Sequence, residues 1–167
     1  QANITLVIND YSFQDGDSTK TEPFKLYKIS DVNIYTDYSP SKNTLNITDS
    51  TIYKNFNIYS QEKLKYKPKA ITNAIFITKG SMYADYKTVL TTRYLNNLRI
   101  FNYPSIQYEV DKRDTTAQSL IAKVYLTPRK KYSFGTTLDV THSNIQDFGI
   151  GLSVSETIRN VFNGAET

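Results

Sequence analysis

His142 is the single histidine of this chain and cysteine is absent, so any nucleophilic chemistry would have to be built on one imidazole. A Ser–His–Asp site needs that ring as a base, in reach of a hydroxyl and oriented by a carboxylate. His142 stands near the end of a strand-like segment, where a histidine serves as an interfacial or turn residue. No catalytic residue is assigned. Disulfides and thiol chemistry are excluded. Asp15 and Asp17 lie in a polar stretch and lack the other ligands of a calcium loop. No carboxylate cluster has metal-ligand spacing, and no glycine-rich loop cradles phosphate. The chain is read as a non-enzyme without metal or cofactor.

Charge narrows the partners. Lys and Arg number 20 against 16 Asp and Glu, a mild excess. The only basic clusters are KLKYKPK (63–69) and PRKK (128–131). Both read as solvated loops and strand ends, because nucleic-acid binding calls for a denser stripe. No nucleic-acid partner is expected. The NIT at 46–48 fits a glycosylation sequon by chance. No apolar run reaches the roughly 18 residues of a transmembrane helix. A membrane barrel passes that filter unseen, since its strands carry only a weak alternating signal.

The elements that position these residues follow from periodicity. At 167 residues there is room for one ordinary domain, or for a small domain with attached fragments. Gln1 is read as a cut inside a longer protein, and the chain is expected to continue beyond Thr167. NITLVINDYSF (3–13) alternates Ile4, Leu6 and Ile8 and reads as a strand. Residues 14–23 read as a linker. FKLYKISDVNIYTD (24–37) is a second strand whose Ile29-to-Val32 step of three implies a bulge near Ser30. In 38–62 only a short strand around Phe56–Tyr59 is expected.

Helical spacing predicts a helix over 67–76, with Pro68 in its first turn and Ile71, Ala74 and Ile75 on one face. Gly80 suits a left-handed turn. Asp85 is expected to cap a helix over 86–101, with Leu90, Tyr94, Leu98 and Phe101 on one stripe beside Leu95. Pro104 closes the connection. SIQYEV (105–110) puts Ile106, Tyr108 and Val110 on one face of a strand. SLIAKVYLTP (119–128) does the same with Leu120, Ala122, Val124 and Leu126. The order strand, helix, helix, strand, strand makes an α+β domain, two helices on one face of a three-stranded sheet.

After Pro128 the pattern changes. YSFGTTLDVTHS (132–143) and FGIGLSVS (148–155) each alternate bulky apolar residues with small or polar ones. Such strands suit an outer-membrane barrel, one face on lipid and one on the lumen; an ordinary hairpin fits the alternation equally. The face turned to lipid would carry Phe134, Leu138, Val140, Phe148, Ile150, Leu152 and Val154. Gly135, Gly149 and Gly151 would ease curvature on the inner face or leave room in the lumen.

Gly80, Tyr83 and Asp85, followed by Leu95, Leu98 and Phe101, resemble the pattern of a POTRA domain. That is the periplasmic module of the BamA family of outer-membrane assembly proteins. LTPRKKYSFGTTLDVTHSN, then FGIGLSVSETIRNVFNGAE, looks like that family's passage from its last POTRA domain into the first barrel strands. The resemblance implies 1–13 as the closing strand of a preceding POTRA domain, 14–23 as linker and 24–128 as a POTRA domain. The domain departs from the family by an insertion at 36–66. Residues 129–167 would be the first two strands of a truncated barrel, the whole sitting in the bacterial outer membrane with the POTRA domain in the periplasm.

The implied function is to assemble or insert β-barrel proteins or to translocate polypeptides. Implied partners are unfolded outer-membrane proteins or secreted polypeptides, periplasmic lipoproteins, and outer-membrane lipid through the barrel. A POTRA sheet runs first, third, second, so 105–110 is expected at an edge. There Ile106, Gln107, Tyr108, Glu109 and Val110 would dock clients by β-augmentation. Proline at Gln107 or Glu109 is expected to abolish docking with the helices intact. Two other readings stand beside this one: a soluble periplasmic docking module without a barrel, and the exporter domain of a larger hydrolase.

Overall fold

The computed structural model describes residues 7, 10–41, 45–143, 146–159, 161 and 164. At its centre lies a strand whose Ile29, Val32 and Ile34 are buried while Asp31 and Asn33 face the other side, half-buried. The expected bulge absorbs the step of three. Register with a neighbouring strand shifts between Ile29 and Asp31, and Ser30 Oγ donates to the Leu120 carbonyl at 3.2 Å. Two residues of one strand then oppose one of the next, which returns Val32 and Ile34 to the core side.

In chain order the strands are β1 (Asp10–Asp15), β2 (Ser18–Pro23), β3 (Lys28–Tyr35), β4 (Asp49–Tyr53), β5 (Phe56–Ser60), β6 (Phe101–Val110), β7 (Ser119–Pro128), β8 (Tyr132–Ser143) and β9 (Gln146–Ile158). Five of them form one sheet in the order β4-β5-β3-β7-β6. The central β3 runs parallel to both neighbours, while β4–β5 and β6–β7 are antiparallel pairs. The expected three-stranded sheet is thus corrected to five strands. The insertion folds back as the β4–β5 hairpin and pairs with β3. Asp37 holds this return: its carboxylate accepts from Ser60 Oγ at 2.8 Å, Gln61 N–H at 2.8 Å and Glu62 N–H at 3.0 Å.

Two helices cover one face, α1 (Pro68–Thr72) and α2 (Asp85–Asn97). α1 is half the expected length: Ala74 and Ile75 N–H bond three residues back, to the Ile71 and Thr72 carbonyls, and Phe76 N–H donates to Thr91 Oγ1 on α2 at 3.0 Å. Asp85 does not cap α2. Ala84 is the cap, and Asp85 sits in the first turn, where its charge complements the helix dipole. The buried residues of α2 are Thr91 and Leu95, one turn apart, whereas Tyr94 stays 46% exposed with its ring edge-on to Phe76. Arg99, at φ 57, turns the chain out of the helix. Phe101 therefore belongs to β6, fully buried with its ring centroid 5.1 Å from that of Tyr66.

Ile71, Ile77 and Leu95 meet Ile34, Ile58, Val124 and Leu126 in a single core cluster, so both helices pack on the same side of the sheet. On the other side Tyr59, Tyr35 and Tyr125 stack across three strands with centroids 5.3 and 5.0 Å apart, and Tyr38 tilts onto Tyr125 at 4.8 Å.

The stretch 14–23 is more than a linker. β2 pairs with β1 through the two-residue turn Gly16–Asp17, with Gly16 at φ 62. Glycine at the first turn position and threonine in the strand favour such a hairpin. Ile4, Leu6 and Ile8, expected in the first strand, lie outside the described residues. β8 and β9 form a two-stranded antiparallel sheet of their own. The architecture is mixed α+β: a five-stranded sheet with two helices, plus separate hairpins.

Candidate docking edge and apolar hairpin

β6 ends the five-stranded sheet and, among the described residues, pairs only with β7. Its first turn of pleat is interrupted between Asn102 and Ser105, where Tyr103 adopts φ 43 and Pro104 has no N–H to offer. Expected to close the connection, Pro104 instead sits inside the strand, at a bulge on an edge, where proline is tolerated. From Ser105 to Val110 the register is regular.

Antiparallel strands alternate residues that bond the partner with residues whose N–H and C=O point away. Asp111 N–H donates to the carbonyl of Ser119, its opposite residue, at 2.8 Å. Stepping back by two, Glu109 and Gln107 also bond β7, and Ile106, Tyr108 and Val110 turn their main-chain groups to the free edge. The expectation for proline at Gln107 or Glu109 is corrected accordingly. Those positions are out of phase by one residue, and proline there would break the β6–β7 ladder.

The side chains hold this edge in place. Ile106 and Tyr108 pack against the core. The Tyr108 hydroxyl lies 2.5 Å from Thr88 Oγ1 on α2, and its ring stands edge-on to Tyr83 at 4.9 Å. Burial pushes the Tyr108 phenol above its ordinary pKa despite that hydrogen bond. Glu109 pairs with Lys123 of β7, and the hydrogen bond holds its carboxyl below the usual range. Val110 continues the face of Ile106 and Tyr108 but runs past the core, 43% exposed.

β8 and β9 pair over their length, with Leu138 opposite Leu152, Val140 opposite Ile150 and Tyr132 opposite Ile158. Phe134, Leu138, Val140, Ile150, Leu152 and Val154 share one face, and each is between 57% and 73% exposed. The side chain of Phe148 lies outside the described residues, as does that of His142. On the reverse face Gly135 stands opposite Ser155, Thr137 opposite Ser153, Asp139 opposite Gly151 and Thr141 opposite Gly149. Two glycines there have a local reason. A β-carbon on Gly135 would come 2.7 Å from Ser155 Oγ, and one on Gly149 would come 2.8 Å from Thr141 Oγ1. The cross-strand hydroxyls lie over the glycines.

Sequence reasoning missed β4, a second edge that is free among the described residues and whose Ile52 is 76% exposed. DSTIY carries a single aliphatic residue, too few for an alternating signal. Among the described residues no helix is long and apolar enough to cross a membrane. No protein-family model matches the chain, and no curated protein matches it.

Proposed function

We propose that the chain belongs to an outer-membrane protein that assembles or inserts β-barrel proteins or translocates polypeptides, with its α+β domain acting as a POTRA-like periplasmic docking module. The sheet order β3-β7-β6, with two helices on one face, is consistent with such a module. The β4–β5 hairpin is a departure from it. In this reading an extended segment of an unfolded outer-membrane protein or secreted polypeptide adds beside β6, through the outward groups of Ile106, Tyr108 and Val110. Main-chain bonding is nearly blind to sequence, which suits many clients. Periplasmic lipoproteins are the further partners of this reading.

The observation that carries the proposal is the β8–β9 pair. Its strands have 12 and 13 residues, enough to span a bilayer core when tilted. Fully burying one large aliphatic or aromatic side chain is worth about 1.5–3 kcal/mol. Six such side chains left in water therefore forgo on the order of 10 kcal/mol, as much as a whole domain's net stability. Lipid recovers that term, and neighbouring barrel strands would satisfy the two outer edges.

The test uses single cysteines: these 167 residues hold none, and any cysteine encoded elsewhere in the gene is first replaced by serine. In native membranes from cells expressing the complete gene, cysteines at Leu138 and Leu152 should resist a water-soluble maleimide. A cysteine at Lys112, on the β6–β7 loop, should react fast. Equal reactivity at all three sites would sink the membrane reading.

A further inference from the structure

The two basic runs at 63–69 and 128–131 are distant in the chain, yet the fold brings them to one place. Arg129 N–H donates to the Ile100 carbonyl at 2.8 Å, extending the β6–β7 ladder by one pair. Arg159 N–H donates to the Lys131 carbonyl at 2.8 Å, doing the same for β8–β9. A cavity of about 420 Å³ opens at this junction. Lys65, Arg129, Lys131 and Arg159 line it together with an apolar wall of Tyr66, Ile100 and Pro128, and no carboxylate is among the lining residues.

The donors are held in place. Arg129 Nε donates to the Phe101 carbonyl at 3.0 Å, which fixes its guanidinium at the wall. Arg159 Nη1 reaches the Lys130 carbonyl at 3.3 Å, but its Nε is buried and has no acceptor among the described residues. A buried donor on a charged group is costly to leave unpaired and calls for an explanation. Lys65 pairs with Glu62 at 2.6 Å, both side chains well exposed, a weak link that a better anion can displace.

We propose that this cavity is a binding site for a phosphate group. Two guanidinium forks and two ammonium groups exceed what one carboxylate can use and match the several oxygens of a phosphate monoester. The volume exceeds that of the anion alone, and the apolar wall accommodates whatever carries it. Inorganic phosphate and the phosphate headgroup of a lipid share this chemistry. The site stands apart from strand docking and does not rest on the membrane reading.

The experiment follows the arginine Nε–H resonances of the full chain, ¹⁵N-labelled and held in non-ionic detergent. Inorganic phosphate is titrated at constant ionic strength. The Arg159 resonance should move saturably with phosphate and stay still with chloride. Arg129→Gln and Lys131→Gln should each weaken the affinity about ten-fold, with backbone spectra reporting that both remain folded. Lys112→Gln, the same charge change at the far end of the β6–β7 pair, should leave it unaltered. Equal movement with chloride, or affinity indifferent to both cavity variants, overturns the site. Vesicles of phosphatidylcholine with and without phosphatidic acid then separate the sources. Competition by phosphatidic acid assigns a lipid headgroup, and phosphate binding without competition assigns a soluble phosphate. Either result upholds the site.

Discussion

Proline at Val110 and proline at Glu109 differ by one position in β6 and should differ in kind. The Glu109 N–H faces β7, opposite Ile121. Replacing Glu109 with Pro deletes that donor and leaves the Ile121 carbonyl unpaired, a cost of about 1–3 kcal/mol. For a domain of roughly 100 residues each kcal/mol moves Tm by about 4–8 °C, so Tm should fall by roughly 5–20 °C. Breaking the Glu109–Lys123 pair adds little, since the carboxylate is exposed. The Val110 N–H faces outward, and Val110→Pro should cost less than about 1 kcal/mol.

Binding reverses the ranking of what each variant tells. A client strand beside β6 would use the outward groups of Ile106, Tyr108 and Val110. Removing one donor and placing a ring in the path should weaken capture about ten-fold, the equivalent of one lost hydrogen bond. The assay pairs thermal unfolding with fluorescence anisotropy of a labelled, unfolded outer-membrane barrel polypeptide. A Val110→Pro protein that melts as low as Glu109→Pro refutes the phase assignment. One that melts normally and still captures the client at full affinity refutes the docking edge.

Asp37→Ala should strip three donors of their acceptor and destabilise the β5 return by about 1–3 kcal/mol. Hydrogen exchange should quicken at Gln61 and Glu62 while the Leu95 amide stays protected. Burial pushes the Tyr66 phenol up to about 12, with a smaller push from Asp37. A folded pKa above the unfolded value of about 10 gives stability that is complete below pH 10 and fades towards pH 12. Circular dichroism against pH should show that loss, and Tyr66→Phe should make it smaller, the remainder coming from the other raised phenols, Tyr35 and Tyr108. Arg99→Gly should relieve the left-handed backbone at φ 57 after α2 and raise stability by roughly 0.5–1 kcal/mol, read from urea midpoints.

Where side chains alternate against a core, the sequence was legible. Leu120, Ala122, Val124 and Leu126 are all buried on one side of β7, and the three-residue step from Ile29 marks a real bulge. Elements held mainly by main-chain bonds were not. β2 and β4 present few apolar residues, and their partners rather than their own composition make them strands. α1 stops early as Ala74 and Ile75 tighten to bonds three residues back, and Phe76 N–H turns to a threonine fifteen residues downstream. The candidate edge was readable as a segment but not in its phase. Side-chain types say which face a residue shows, whereas the direction of its N–H depends on register with β7. The convergence of the two basic runs is likewise a property of the folded chain.

The parallel pairing of β3 on both sides has a consequence for how the chain leaves the ribosome. β3 bonds β5, made roughly 25 residues later, and β7, made roughly 90 residues later. At about 5–20 residues per second the first partner arrives within about 1–5 s, and the second only after about 5–20 s. Without β5, both sides of the central strand would wait that long, open to any other extended segment. The early hairpin closes one side almost at once, and the nascent domain is left with a single slot that β7 must reach before a neighbouring chain does.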